Sequence, residues 1–257
     1  MHLDQFIHQQ RQQKDILLMS HTVLGYPAWE DNRKAIAAMV QAGVELIELQ
    51  FPFSEPIADG PILLAANHGA IQTGTSIQDC FHFAAEITQR YPQTRFVIMT
   101  YVNILFKYGI RNFVTTAAQS GIAGCIIPDL PPEQAAAYIT ICREQSLATI
   151  FLVTPENSLQ RIQQIIDYTS GLIYCVARPG VTGQQTLFST QLHQYLYRVH
   201  AMTSLPIAVG FGIQSADDVQ DLIGSADIAT VGTYAVQYYC EHGADALQRL
   251  MQGLRTG

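Results

Sequence analysis

Short apolar runs alternate along the chain with longer segments in which apolar residues recur at helical spacing. About eight of these runs have the length and the β-branched content of strands. They cover residues 16–19, 46–49, 96–99, 125–128, 150–153, 172–176, 207–209 and 228–231. Most of the runs are apolar throughout rather than alternating with polar residues, so we expect both faces of their sheet to be covered.

The segments between the runs are predicted to be helices. The clearest amphipathic segments are 32–42, 77–90, 132–145, 159–168 and 235–254, and 61–72 is expected to form a short extra helix after the second strand. Ser76 and Ser158 precede two of these segments and are typical N-caps. Because helical connections join parallel strands, the repeated unit predicts a (β/α)8 TIM barrel that forms one domain over residues 1–257.

An open doubly wound sheet is the structural alternative to the barrel. Such sheets often carry a Gly-x-Gly-x-x-Gly turn after their first strand, and this chain has none there. No linker or change in composition divides the chain into two halves. The barrel is therefore the favoured architecture.

Composition and charge narrow the possible functions. The chain has 257 residues, of which 48% are hydrophobic and 14% charged, as in a compact globular protein. A net charge of -7 disfavours a nucleic-acid partner. The N-terminus lacks a signal-peptide pattern and no segment has the roughly 18 uninterrupted apolar residues of a membrane span, so we expect no membrane contact and a cytoplasmic location. The scattered cysteines are expected to be reduced and mostly buried.

Candidate catalytic residues lie at the C-terminal ends of predicted strands, where barrels build their active sites. Glu48 lies near the end of the second strand and Asp59 in the Pro-rich loop after it. In isolation, such a Glu often faces solvent and an Asp-Gly pair often forms a turn. Asp129, after the fourth strand, either joins the site or caps a loop near Pro131. Tyr174, within the sixth strand, is either a packing aromatic residue or a ligand contact.

Glycine-bearing loops follow the last three predicted strands, at residues 178–183, 210–215 and 231–234. The loops after strands seven and eight predict a phosphate site, because glycine lets backbone amides and a helix N-terminus approach an anion. Such a site needs few lysines, which suits an acidic chain. The loop 178–183 is a candidate lid over the substrate.

Six motifs, in this order, resemble the α subunit of tryptophan synthase, and the resemblance covers the whole chain. They are Leu24-Gly25-Tyr26-Pro27, Glu48 with Pro52-Phe53-Ser54 and Ala58-Asp59-Gly60-Pro61, Tyr101-Val102-Asn103, Asp129-Leu130-Pro131, Gly180-Val181-Thr182-Gly183, and Gly210-Phe211-Gly212-Ile213. The resemblance implies retro-aldol cleavage of indole-3-glycerol phosphate to indole and glyceraldehyde 3-phosphate in tryptophan biosynthesis. It implies no cofactor or metal in this subunit, and a β-subunit partner that uses pyridoxal phosphate, within an α2β2 heterotetramer.

The resemblance also implies a role for each site residue. Glu48 is expected to be the general acid/base and Asp59 the partner of the indole N–H. Protons move at indole C3 and at the adjacent hydroxyl while positive charge develops on the indole nitrogen, so the reaction needs both acids. Tyr174 matches a substrate-contacting tyrosine, and Thr182 a loop threonine that orders over Asp59. The phosphate-binding positions are Gly183, Phe211, Gly212, Gly232 and Thr233.

Several residues depart from the usual pattern of this family. They are His21, Gln50, Phe51, Glu55, Pro179 and Thr233. The bulk of Gln50 and Phe51 is expected to restrict the movement of Glu48, and His21 is expected beside the indole. Two further functions therefore stay open: a non-catalytic subunit that binds and activates a β subunit, and another phosphate-binding barrel lyase or isomerase with an altered substrate.

Overall fold

Parallel strands form the centre of the molecule, in a computed structural model that describes residues 1–177, 190–210 and 212–255. The strands in these ranges are β1 Leu17–Val23, β2 Leu46–Gln50, β3 Arg95–Met99, β4 Gly124–Ile126, β5 Ala148–Ile150, β6 Leu152–Val153, β7 Ile173–Val176, β8 Ile207–Gly210 and β9 Ile228–Val231. Their order in the sheet is β5-β4-β3-β2-β1-β9-β8-β7-β6. All of the pairings are parallel, as predicted.

The sheet closes through the fifth predicted strand, which is divided at Phe151 into β5 and β6. The first half pairs with β4 and the second half pairs with β7. The two edges of the sheet therefore belong to one continuous stretch of chain. This arrangement confirms the predicted barrel and explains why one predicted strand is observed as two segments.

Helices surround the barrel and follow the strands along the chain. In the described ranges they are α1 Leu3–Arg11, α2 Trp29–Gln41, α3 Pro61–Gln72, α4 Ile77–Arg90, α5 Val102–Tyr108, α6 Ile110–Gln119, α7 Ala136–Glu144, α8 Leu159–Tyr168, α9 Thr190–His200, α10 Ala216–Leu222, α11 Thr233–His242 and α12 Ala244–Gly253. A 3-10 turn, Pro132–Gln134, precedes α7. The extra helix α3 and the helices α4 and α8 have the predicted bounds.

Local signals explain where several helices begin and end. The hydroxyls of Ser76 and Ser158 each accept a hydrogen bond at 3.2 Å from the third residue of the helix that follows, which confirms both as N-caps. The prediction of one helix over 235–254 is wrong, because Gly243 separates α11 from α12 with a φ of +78°. This left-handed backbone conformation favours glycine and interrupts the helix.

Successive side chains of β2 alternate between the barrel interior and the layer beneath the helices. Glu48 and Gln50 face the interior, whereas Phe51 belongs to the outward series. The Phe51 ring packs against Phe81 of α4 and Phe113 of α6, with centroid distances of 5.0 and 6.1 Å. Phe51 therefore lies on the opposite side of the sheet from Glu48, and the expectation that its bulk restricts Glu48 is wrong.

The N-terminal end of the barrel is filled with apolar side chains. Helix α1 lies at this end and contributes Leu3, Phe6 and Ile7 to the same buried cluster as the inward residues Leu17 and Leu46. The barrel interior is therefore filled at this end, and a ligand is expected toward the C-terminal ends of the strands.

The cysteines agree with the expectation from composition. Cys80, Cys125, Cys142 and Cys175 are buried, Cys240 is exposed, and all five are free thiols. None of the helices in the described ranges combines the length and apolar character that crossing a membrane would require.

Candidate active site

A cavity opens at the C-terminal ends of the strands and collects most of the predicted site residues. Its empty space is about 720 Å³ when the open solvent at its mouth is included. The predicted residues that line it are Glu48, Asp59, Tyr174, Gly212, Gly232 and Thr233. Thr182, Gly183, Phe211 and Pro179 lie outside the described residues. Within the described ranges, no group of three His, Cys, Asp or Glu side chains could hold a metal ion.

Glu48 projects from β2 into the cavity, next to His21 of β1. The two residues are direct partners in the parallel register of these strands. Glu48 Oε2 lies 3.3 Å from His21 Nδ1. Both side chains are buried, with only 4% of each residue exposed. The acid is therefore held in a dry environment, where proton transfer to a bound molecule does not compete with bulk water.

Asp59 lies in the loop between β2 and α3, and several hydrogen bonds fix its carboxylate. Oδ2 accepts hydrogen bonds from Gln50 Nε2 at 2.6 Å and from Asn67 Nδ2 at 3.4 Å. The Tyr101 hydroxyl also hydrogen-bonds the carboxylate. Burial raises the pKa of Asp59, and the hydrogen bond from Gln50 and the charge of His21 oppose this rise. The carboxylate is thus positioned by neutral donors on one side and is open to the cavity.

His21 and Gln50, which we call the bridging pair, connect the two acids. His21 Nε2 is 2.8 Å from Gln50 Oε1, so hydrogen bonds run without a break from Glu48 through His21 and Gln50 to Asp59. Burial lowers the pKa of His21, but the hydrogen bond and charge of Glu48, with the charge of Asp59, outweigh it and raise that pKa overall. Both residues were identified from the sequence as departures from the family pattern, but the contact between them was not predicted.

Tyr174 crosses the barrel interior and packs over the end of β8. A Cβ atom on Gly210 would lie 2.2 Å from the Tyr174 hydroxyl oxygen, so only glycine leaves room for this ring. Burial, with a contribution from the charge of Glu48, raises the pKa of Tyr174 well above its usual value. The hydroxyl therefore stays protonated in the cavity.

The loops after β8 and β9 line one end of the cavity, which we call the anion-binding end because the sequence predicts a phosphate site there. Gly232 is the N-cap of α11 and Thr233 its first residue. Among the described residues, the buried Thr233 Oγ1 has no hydrogen-bond partner. Gly212 has a φ of +87°, a conformation that favours glycine. No lysine or arginine is present among the described residues that line the cavity, so an anion here would be held by N–H groups, a hydroxyl and the helix dipole.

Asp129 has a structural contact outside this cavity. Its Oδ1 accepts a hydrogen bond from the backbone N–H of Val102, the first residue of α5, at 2.9 Å. The capping role left open by the sequence is therefore observed, but at the start of α5 rather than beside Pro131. Of the residues that follow β4, Pro128 rather than Asp129 lines the cavity.

Comparisons with known proteins agree on one family. The family model for the tryptophan synthase alpha chain matches residues 7–255. The tryptophan synthase alpha chain of Syntrophotalea carbinolica is 46% identical over 243 residues, which are 95% of this chain and 96% of the relative. A tryptophan synthase structure from Mycobacterium tuberculosis superposes with a TM-score of 0.91 at 29% identity, covering 99% of this chain and 96% of the other. A tryptophan synthase complex from Pyrococcus furiosus contains a chain with a TM-score of 0.83 at 29% identity, covering 94% and 97%.

Proposed function

The chain belongs to the tryptophan synthase alpha chain family, and from this premise we propose how its cavity carries out the family's reaction. That reaction is the retro-aldol cleavage of indole-3-glycerol phosphate to indole and glyceraldehyde 3-phosphate, so the chain is a carbon–carbon lyase of tryptophan biosynthesis. The observation that carries the proposal is that Glu48 and Asp59 line one cavity together with Gly232 and Thr233, whose buried hydroxyl has no hydrogen-bond partner among the described residues.

The proposed mechanism uses the two acids at different atoms of the substrate. Glu48 donates a proton to indole C3, and positive charge then develops on the indole nitrogen. Asp59 accepts the indole N–H and stabilises that charge. Glu48 next removes the proton of the adjacent glycerol hydroxyl, the carbon–carbon bond breaks, its electron pair restores the indole ring, and the hydroxyl carbon becomes the aldehyde.

The anion-binding end is proposed to hold the substrate phosphate. The N–H groups at the start of α11 and the unpartnered Thr233 hydroxyl are suitable donors. Gly212 and Gly232 give a phosphate close access to the backbone, and Tyr174 is proposed to contact the substrate between the phosphate and the acids. Thr182, Gly183 and Phe211 remain predicted contacts.

The catalytic roles can be tested with variants that keep the shape of each side chain. Glu48→Gln is expected to lower indole release from indole-3-glycerol phosphate by roughly 10²–10⁴-fold, the usual contribution of a general acid/base. Asp59→Asn is expected to lower it as well. Glu45→Gln is a matched control, because Glu45 is also buried but binds Lys14 and Arg255 at the opposite end of the barrel. Full turnover by Glu48→Gln would contradict its assignment.

The same assay separates the two alternatives. A non-catalytic subunit would bind indole-3-glycerol phosphate and stimulate a β subunit but would release no indole. A lyase with another substrate would retain its native reaction in Asp59→Ala, because the indole partner would not be needed. Measuring indole and tryptophan with and without a β subunit distinguishes these outcomes from the proposed reaction.

We further propose a β subunit as partner, in an α2β2 assembly, at the rim of the cavity. Exposed apolar side chains are present there on neighbouring loops and helices: Ile57 is 72% exposed and Phe106 60%. Glu55, which departs from the family pattern, is exposed in the same loop as Ile57. Phe53 stacks on Tyr101 with centroids 5.3 Å apart and joins this loop to the start of α5.

The cytoplasmic location stays a prediction.

The docking proposal predicts a separation of binding from catalysis. Replacing Ile57 and Phe106 with serine should weaken stimulation of a β subunit and leave indole release by the isolated chain unchanged, because neither side chain lines the cavity. Tyr197→Ser is a matched control, because Tyr197 is 76% exposed on α9, away from this rim. Unchanged stimulation by the double variant would place the partner elsewhere.

A further inference from the structure

The donors and acceptors between Asp59 and Glu48 can be assigned one by one. Asn67 Oδ1 accepts the backbone N–H of Phe53, and Asn67 Nδ2 donates to the carbonyl of Leu63. These contacts fix the orientation of the Asn67 amide, so its NH2 group faces Asp59. Asp59 Oδ2 therefore acts as an acceptor, and Gln50 must present its own NH2 group to the same oxygen at 2.6 Å.

The orientation of Gln50 then fixes the tautomer of His21. With its NH2 group on Asp59, Gln50 directs Oε1 at His21 Nε2, 2.8 Å away. An amide oxygen only accepts, so His21 Nε2 must carry a proton. A neutral His21 would then have a bare Nδ1 facing Glu48 Oε2 at 3.3 Å. That contact is a hydrogen bond only if one proton lies on the pair, either on Glu48 or on His21 Nδ1.

We propose that His21 and Glu48 share one proton, that Gln50 makes this sharing obligatory by keeping His21 as an Nε2–H donor, and that the shared proton is the one delivered to the substrate. The inference rests on the proposed role of Glu48. His21 acts through Glu48 and is a positioning residue. The pair starts with one proton, loses it to indole C3, and regains one from the glycerol hydroxyl as the carbon–carbon bond breaks.

The charge environment supports retention of this proton at neutral pH. Burial opposes a charged His21, but the hydrogen bond and charge of Glu48, then the charge of Asp59, raise the pKa of His21. Asp31 borders a smaller cavity on the other side of β1. The remaining titratable groups that border these two cavities are Tyr26, Tyr174, Tyr234, Tyr239 and Cys240. Burial raises the pKa values of Tyr26, Tyr174, Tyr239 and Cys240, so these four groups stay neutral near pH 7. No lysine or arginine is among the described residues bordering either cavity.

The kinetic test is the pH dependence of indole release by His21→Gln. Without the imidazole of His21, the pair has only a carboxyl group to hold the proton, and the ordinary pKa values of histidine and glutamic acid differ by about two pH units. We therefore expect kcat to fall on the order of 100-fold near pH 8, with a much smaller loss near pH 5.5 and a KM within ~3-fold. An equal loss at all pH values would indicate a structural role only and would overturn the proposal.

Ser20→Ala is the matched control for this test. Ser20 precedes His21 on β1, is buried, and donates to the carbonyl of Val231 at 3.0 Å on the other side of the sheet. The variant removes a buried hydrogen bond from the same strand without touching the cavity. Its kcat profile should have the same pH dependence as that of the unchanged protein.

A second measurement does not depend on activity. Nitrogen-resolved NMR of the imidazole groups can follow His21 in the full chain, with its signals assigned by their loss in His21→Gln. We expect Nε2 to stay protonated at all pH values and the pKa of His21 to fall in Glu48→Gln. A bare Nε2 at neutral pH, or an unchanged pKa in that variant, would refute proton sharing. If the unchanged protein released no indole, the proposed function would fail and NMR alone would decide the sharing.

Discussion

Replacement of Phe51 by alanine should destabilise the fold and leave catalysis unchanged. Phe51 is fully buried, and its ring lies edge-on to Phe81 and Phe113 at 5.0 and 6.1 Å. Truncating a buried phenylalanine costs about 3–5 kcal/mol, and two aromatic contacts favour the upper half of that range. For a chain of this size, about 4 kcal/mol corresponds to a fall in Tm of roughly 10 °C. Because Phe51 faces away from Glu48, kcat for indole release should change by less than ~3-fold.

Urea unfolding followed by circular dichroism, together with indole release measured well below the transition, checks both parts. Phe106→Ala is the matched control, because its ring is 60% exposed and its loss should change the free energy of unfolding by less than about 0.5 kcal/mol. A large loss of kcat in folded Phe51→Ala would show that Phe51 acts on Glu48 after all. A stability change below about 1 kcal/mol would refute the packing argument.

Three other experiments test the remaining structural arguments. Gly210→Ala should displace Tyr174, because the new Cβ would meet its hydroxyl at 2.2 Å; we expect a loss of about 1–3 kcal/mol and a raised KM in steady-state assays. Glu45→Gln should cost about 2 kcal/mol in urea unfolding, because two basic side chains lose the buried carboxylate they contact, while kcat is unchanged. In a double-mutant cycle of His21→Phe and Gln50→Gly, the double variant should lose less free energy of unfolding than the two single variants lose together, by about 1–2 kcal/mol.

The architecture was predictable because it depends on signals that repeat along the chain. Each strand has an apolar run and each connection has helical spacing, so errors at single elements leave the barrel unaffected. The exceptions have local causes. The fifth strand changes partner at Phe151, and one predicted helix is divided at Gly243. A glycine within an amphipathic segment signals such a break only when its φ is known.

The site was predictable only in part, because its composition depends on strand register. Glu48 and Asp59 could be located from their place at a strand end, but the sequence does not say that His21 lies opposite Glu48 across β1 and β2. It also does not say that Gln50 faces the barrel interior and Phe51 the helices. One residue of register separates these two directions. Of the two bulky residues that were expected to hinder Glu48, Gln50 makes a polar contact inside the barrel and Phe51 packs in the core outside it.

The two departures from the family pattern at positions 21 and 50 are best understood as one change. His21 Nε2 is buried and needs an acceptor, and Gln50 Oε1 is fully buried and needs a donor; each satisfies the other at 2.8 Å. Either residue alone among apolar or small neighbours would leave an unpaired buried polar group at a cost of about 1–3 kcal/mol. A polar residue beside the proposed indole position is therefore tolerated because a second polar residue, on the neighbouring strand, completes its hydrogen bonds. The hydrogen bond between His21 Nε2 and Gln50 Oε1 also fixes the imidazole tautomer. One contact therefore both satisfies the buried polar groups and supports the proposed proton sharing with Glu48.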